Sequence, residues 1–331
     1  MRRFALTSAA VTAVLLMIPL AAGALATTRY VALDGICGGR TPCYPTIQGA
    51  IDASTAGDMV KVAPGTFHEH LFVDEQVELV GAGPATVIDG DGSGEALVVV
   101  AGGTVARKLA VTDAGSGLAI AAPMVSVSDL RVSSTSGYGV YTDFGVSDVS
   151  LRRIDVSGNL TTGFQIGWSS GWAITGSKIL RNGGNGVLAD TSGDGSIAGN
   201  EIRLDGESGI REAGNGNTGA VIVSANRIEA NALSGVELQI GASYGLVIGN
   251  RVKGNLRYAV EIAGNANPNS GNVIAGNDLR APVGSLGCAL DDSVLGPANY
   301  WRSNTYSCNR PFVSPYTIPG AAGAVDISPV P

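Results

Sequence analysis

The chain has 331 residues, 48 of them Gly and only 5% aromatic, with a formal net charge of −7. That length can bury a large core, and a Gly-rich, aromatic-poor composition suits stacked coils better than a compact globule. The acidic balance excludes nonspecific nucleic-acid binding, which needs a net basic surface.

Residues 1–26 read as a signal peptide. Arg2 and Arg3 form a basic start, Ala9 to Leu20 is apolar, and Ala24-Leu25-Ala26 is a small-x-small cleavage site. A membrane anchor is the weaker reading, because Pro19 and Gly23 interrupt the run and no stop-transfer pattern follows. No second apolar stretch is long enough to span a bilayer. Losing Arg2 and Arg3 with the leader moves the charge from −7 to about −9. The mature chain is therefore expected to be secreted, periplasmic or displayed at the cell surface.

Residues 27–45 form an N-terminal cap segment with Cys37 and Cys43. The other two cysteines, Cys288 and Cys308, lie near the far end. An even count in an exported chain favours disulfides, and the spacing pairs Cys37 with Cys43 and Cys288 with Cys308. Thr46 to Ser54 is the one convincing helix: Ile47, Ala50 and Ile51 fall on one face, and Thr46 can cap it. A helix here would plug the open end of a first coil. Strands begin at Met59 to Phe67.

From about Ser196 to Leu279 the chain repeats itself at intervals of roughly 25 residues. Asn precedes an aliphatic by two positions at Asn200/Ile202, Asn226/Ile228, Asn250/Val252 and Asn277/Leu279, with weaker upstream copies at Leu130, Ile154 and Ile179. Between them lie short apolar runs too brief for helices and rich in β-branched residues. In Val236 to Ile240 the aliphatics alternate with Glu237 and Gln239, which puts them on one face. Three short strands per turn predict an all-β, single-stranded right-handed parallel β-helix over residues 46–308. Coils would stack about 4.8 Å apart into a continuous core. Asn suits the tight bends and can bond its equivalent one coil away. A β-sandwich with many Gly turns is the alternative, and the strict Asn-x-aliphatic recurrence argues against it. Residues 309–331 are a Pro/Ala/Gly-rich tail.

The run Thr46-Ile47-Gln48, Ala50-Ile51-Asp52-Ala53, then Gly57-Asp58, Val60, Ala63-Pro64-Gly65-Thr66-Phe67 and Glu69 resembles the opening motif of right-handed parallel β-helix families in the pectin-lyase-like superfamily. These include carbohydrate-binding/sugar-hydrolase repeats and NosD-like periplasmic proteins. With the Asn repeats, the resemblance covers roughly Thr46 to Asn304. It implies the fold. It leaves the activity open, since the superfamily holds lyases, hydrolases, esterases, epimerases, binding modules and adhesins.

The residue after each Gly- or Ala-aliphatic step is Tyr141, Gln165, Leu188, Arg211, Glu237, Glu261 and Asp291. In the resembled families this strand builds the face that carries the binding groove. Stacked acids repel by about 1 kcal/mol per pair with water-like screening, and by several times more in a lower dielectric. Arg211 relieves only its neighbour. A bridging Ca²⁺ or one protonated acid would relieve the rest. Arg211, Glu237, Glu261 and Asp291 are therefore the catalytic candidates for a polysaccharide lyase or glycoside hydrolase. Tyr141, Gln165 and Trp168 are the substrate-binding candidates. A plainly solvated strand face is the competing reading. Glu212 breaks the alternation by pointing inward, and Trp172 brackets a loop with Trp168.

His68 and His70 flank Glu69 and alternate onto one strand face. Two ligands make a weak site, so no metal ligand set is expected and Glu69 is read as stabilising a bend. Polygalacturonase-type Asn-Thr-Asp and Gly-His-Gly signatures, the Asp-Pro-His-Asp motif of alginate epimerases and any Ser/His triad are absent. The expected function is an exported β-helix that binds, and as an enzyme would process, an extracellular polysaccharide. A non-catalytic structural or adhesive solenoid is the second reading. By the NosD-like resemblance, metal handling through His68 and His70 is the third.

Overall fold

The computed structural model describes residues 25–214, 219–239, 241–263, 269–291 and 299–308. Apart from Leu25 and Ala26, the expected leader lies outside these residues, as does the tail.

The chain winds into a parallel β-helix of about 9 turns. One wall is a ten-stranded parallel sheet running from Leu71–Val73, through Glu95–Val99, Ser116–Ile120 and Val140–Thr142, to Gly287–Asp291. A 22-stranded sheet forms the remaining walls. Its two faces are joined by long strands that turn the corner: Val105–Ala114 pairs with Glu78–Val80 before the bend and with Thr86–Asp89 after it. The bend is made by one residue per coil in the left-handed region, among them Lys108, Asp129, Arg153, Gly199, Ala225 and Gly249. Asp and Gly tolerate that conformation; the others are held there by the coil on either side.

The residue after each bend points inward, and here the Asn repeat does its work. Asn226 donates both its backbone N–H and its Nδ2 to Asn250 Oδ1 (2.9 and 3.0 Å), and Asn250 does the same to Asn277. Nδ2 also donates to a backbone carbonyl of an earlier coil, as from Asn250 to Val223 O. Every polar atom of a buried bend is thus satisfied, which is what burial demands. The aliphatics two residues on stack as Ile202, Ile228, Val252 and Leu279. The upstream copies need one correction. Ile179 belongs to this row, but its neighbours there are Val156 and Val132. Ile154 instead occupies the Asn row, where its N–H bonds the Ser177 hydroxyl, and Leu130 likewise sits two residues before its row member. A second ladder runs through Asn159, Asn182, Asp205, Asn231 and Asn255.

The core is one continuous stack of Ile, Val and Leu from Val31 to Tyr306, with Trp172 wholly inside it. Helix α1 (Ile47–Asp52) buries Ile47, Ala50 and Ile51 against the first coil, shorter than the expected Thr46 to Ser54. Thr46 caps it by accepting from the Gly49 N–H (3.2 Å), and the Glu69 carboxylate accepts from the N–H groups of Ile47 and Gln48 (2.9 Å each). A carboxylate at this positive helix end is stabilising, and it ties the cap to the coil beneath. The Cys37–Cys43 and Cys288–Cys308 disulfides sit at the two ends, as the spacing suggested.

Candidate functional site

The register of the ten-stranded sheet decides which side chains share its outer face. Tyr141 pairs with Gln165, Gln165 with Leu188, Leu188 with Arg211, Arg211 with Glu237, and Glu237 with Glu261. Six of the seven expected residues therefore form one row. The seventh does not: Leu290 pairs with Glu261, and Asp291 pairs with Ile262 on the alternate face position. The Ala289-Leu290 step sits one position late: Ala289 pairs with Val260, so Leu290 itself, and not the residue after it, takes the row position.

The row divides into two environments. Tyr141, Gln165, Leu188 and Arg211 are half-buried, whereas Glu237 is 3% and Glu261 0% exposed. What covers the acids is the turn that precedes each strand. Its backbone links Thr161, Gly184, Glu207, Leu233 and Arg257 coil by coil. Arg257 folds over the acid pair, with Nη2 2.8 Å from Glu261 Oε1 and Nη1 3.8 Å from Glu237 Oε1. The Ser208 hydroxyl donates to Glu237 Oε2 and the Ser234 hydroxyl to Glu261 Oε2, both at 2.6 Å. Gln239 donates to Glu237 Oε1 and accepts from Arg211 Nη2 (2.6 Å). Arg257 thus supplies a cation between the stacked carboxylates, and Arg211 is linked to Glu237 through Gln239. Buried charges persist only when paired and bonded in this way.

Over the other half of the row lies an open groove of ≈ 610 Å³. Its walls carry Tyr138, Thr161, Gln165, Asn185, Glu207 and Arg211. Gly183 and Gly184 line the groove and let this turn lie close against the preceding coil. A Cβ on Gly183 would stand 2.0 Å from Leu160 O, and one on Gly184 would stand 2.9 Å from Thr162 Oγ1. Asn185 Nδ2 donates to Glu207, and Asn185 Oδ1 accepts from Ser208 N (3.1 Å), so this wall is held in place. Arg211 Nε and Thr161 Oγ1 have no hydrogen-bond partner within the protein. Another hollow, of ≈ 310 Å³, lies at the cap under Ile36 and Arg40 and is mainly apolar.

Tyr141 lies beside the groove, its ring centroid 5.9 Å from that of Tyr138. Its hydroxyl donates to Glu95 (3.2 Å), and burial and then the Glu95 charge push its pKa up to about 12. It is a phenol, not a phenolate, at neutral pH. Trp168 stands at the opposite edge of the sheet, 51% exposed, in the left-handed region (φ 49°), with its ring 5.1 Å from Phe144. Trp172 is a core residue, packed where Gly195 leaves room.

Two buried acids sit behind the row. Glu212 points inward as its sequence position suggested, and burial alone pushes its pKa up to about 8. Asp205 replaces Asn in the second ladder, is 1% exposed, and is pushed up to about 7 by burial, against the opposing hydrogen bonds from Asn182. His68 and His70 do not converge. His68 Nδ1 donates to Asp91 (2.8 Å), whereas His70 Nδ1 donates to the Glu95 carbonyl (2.9 Å). The sequence reading missed Tyr138, Asn185, Glu207 and Arg257. Glu207 and Arg257 stand four residues before their row members Arg211 and Glu261, a position that no shared residue type marks in the sequence.

Residues 162–310 match the family model described as a right handed beta helix region. No curated protein matches the sequence. Among solved structures, the mannuronan C-5 epimerase AlgE4 A-module of Azotobacter vinelandii superposes with a TM-score of 0.63 at 17% identity, covering 87% of this chain and 98% of that one. A periplasmic alginate epimerase, AlgG (T265N mutant), gives 0.56 at 13% identity, covering 79% and 73%. Pectate lyase Pel9A gives 0.51 at 13% identity, covering 87% and 77%. At these identities the likeness is one of fold. Among the described residues no helix is long and apolar enough to cross a membrane.

Proposed function

We propose, starting from the fact that this chain is a right-handed parallel β-helix, that it is an exported protein whose ten-stranded sheet binds an extracellular polysaccharide in the groove lined by Gly183 and Gly184. The observation that carries this reading is the groove itself: an open trough of ≈ 610 Å³ with planar polar side chains on its walls. Gln165, Asn185, Glu207 and Arg211 offer both donors and acceptors at fixed positions, which is what a row of sugar hydroxyls requires. Tyr138 and Tyr141 supply apolar ring faces at one edge and Trp168 at the other. The epimerase and lyase neighbours, which are named for polysaccharide chemistry, favour the same class of ligand. The two disulfides and the periplasmic neighbour favour export.

The reading is of binding first. Glu237 and Glu261 are sealed under Arg257 and bonded through both oxygens, so they serve as the frame against which Gln239 and Arg211 are set. In the groove the charged pair is Arg211 and Glu207. Were the protein to process its ligand, these two would meet it, and Asp291 would lie well along the stack.

The test is retention of the purified protein in gels containing neutral or acidic polysaccharides, with Ca²⁺ or with chelator, while new chain ends are counted. Retention that falls at least tenfold in Gln165→Ala and Arg211→Ala, and is insensitive to chelator, is the expected result. New chain ends would add a reaction to the binding. No retention across a broad panel would leave the solenoid a structural or adhesive element.

A further inference from the structure

Beside the cap, in the same stack of turns that carries the groove but several coils before it, two successive coils bring together a histidine and two aspartates. His68 ends the strand Gly65–His68, Asp89 ends the next coil's strand Thr86–Asp89, and the two are register partners. Asp91 follows in the turn. His68 Nδ1 lies 2.8 Å from Asp91 Oδ1 and 4.0 Å from Asp89 Oδ2, and one ligand atom of each residue falls within 4.8 Å of the other two. Asp89 Oδ1 is engaged by the Asp91 N–H (3.0 Å), which fixes the Asp89 carboxylate and leaves Oδ2 facing the histidine.

We infer that His68, Asp89 and Asp91 form a binding site for a divalent first-row transition ion of the zinc type. Three atoms mutually within that span lie on a circle of radius no more than about 2.8 Å, and metal–nitrogen and metal–oxygen bonds of about 2.0–2.2 Å need only a small contraction. His68 and Asp91 are both mostly exposed, so their side chains are free to make it. One imidazole nitrogen with two carboxylates is a borderline donor set. It favours zinc, cobalt or nickel over Ca²⁺ and Mg²⁺, which prefer oxygen alone. The ion replaces the proton shared by His68 and Asp91, so the imidazole binds neutral through Nδ1. Because the ligands come from adjacent coils, the ion fastens the first turns of the solenoid together next to the Glu69-capped helix. His70 is no part of the set: its Nδ1 is spent on the Glu95 carbonyl. The site makes no use of the groove, so it stands or falls apart from the glycan reading.

The test is titration of untagged, chelator-stripped protein with Zn²⁺ by calorimetry, with Ca²⁺ and Mg²⁺ run alongside, and thermal melting of the same samples. The expected result is one Zn²⁺ per chain and a raised melting midpoint. Binding should weaken at least tenfold in His68→Ala and in Asp91→Asn, remain unchanged in His70→Ala, and be far weaker for Ca²⁺ and Mg²⁺. Circular dichroism confirms that the variants, altered at exposed positions, still fold. No Zn²⁺ uptake by the wild-type protein, uptake untouched by His68→Ala and Asp91→Asn, or equal loss in His70→Ala would each overturn the assignment.

Discussion

Two halves of one row on the ten-stranded sheet have opposite fates. Tyr141, Gln165, Leu188 and Arg211 border an open groove, while Glu237 and Glu261 are sealed from water. The strands are alike in length, register and spacing, so the row itself does not make the difference. The preceding turn does. Where it places Gly183 and Gly184, the sheet is uncovered; where it places Leu233 and Arg257, the sheet is roofed. Whether a side chain of a β-helix meets a ligand is therefore set four residues earlier, by whether the turn has something to fold back over it.

The strongest way to break this comparison is to remove the roof. Arg257→Ala leaves two buried carboxylates without their cation and should cost roughly 4 kcal/mol, toward the range for breaking a buried pair. Urea unfolding measures it. Adding Glu237→Gln and Glu261→Gln should recover most of the loss, and an unchanged midpoint in Arg257→Ala would show the roof to be idle. Next in size is Asp205, at the junction of the halves. Its folded pKa of about 7 exceeds the ordinary 3.8, so between these values the unfolded chain has lost a proton that the folded one keeps. Stability should fall as pH rises from about 4 to 7 and then level off, by up to about 4 kcal/mol at 1.36 kcal/mol per pH unit. Asp205→Asn restores an amide to the ladder, so it should flatten that slope and stabilise the protein by about 3 kcal/mol at pH 8, with no gain below pH 4. Thermal melts across that range would reveal it. Smaller again, Gly184→Val puts a side chain into the notch and should abolish glycan retention while costing about 1–3 kcal/mol of stability from crowding. Smallest, Trp168→Ala should weaken retention a few-fold, the scale of about 1 kcal/mol for one stacking ring, without altering the unfolding midpoint.

The coil, its period and most of its outer row were legible because each carries a local mark: an Asn before an aliphatic, or a Gly before one. Asp291 was misplaced because the Ala289-Leu290 step it was counted from sits one residue late, with Ala289 where the other steps place their aliphatic. Leu130 and Ile154 were set two residues early because an aliphatic can fill the bend that Asn fills downstream. The roof and the notch were not legible. Thr161, Gly184, Glu207, Leu233 and Arg257 share no residue type, only a place in the turn, and that place becomes visible once the coils are stacked. His68, Asp89 and Asp91 were hidden for the same reason, being neighbours across coils and not along the chain.

The asparagine stack also has a direction. Each Oδ1 faces the coil before it and takes that coil's two N–H groups, from Asn200 through Asn226, Asn250 and Asn277 to Asn304. The Asn side chain and its own N–H therefore present donors toward the C-terminal side of a finished coil, a face that reads the amide oxygen of the next arrival. Growth from that face follows the order in which a ribosome delivers the coils, and a coil docked upside down would meet donor with donor. The same stack that satisfies the bends thus fixes the sense in which one coil can follow another.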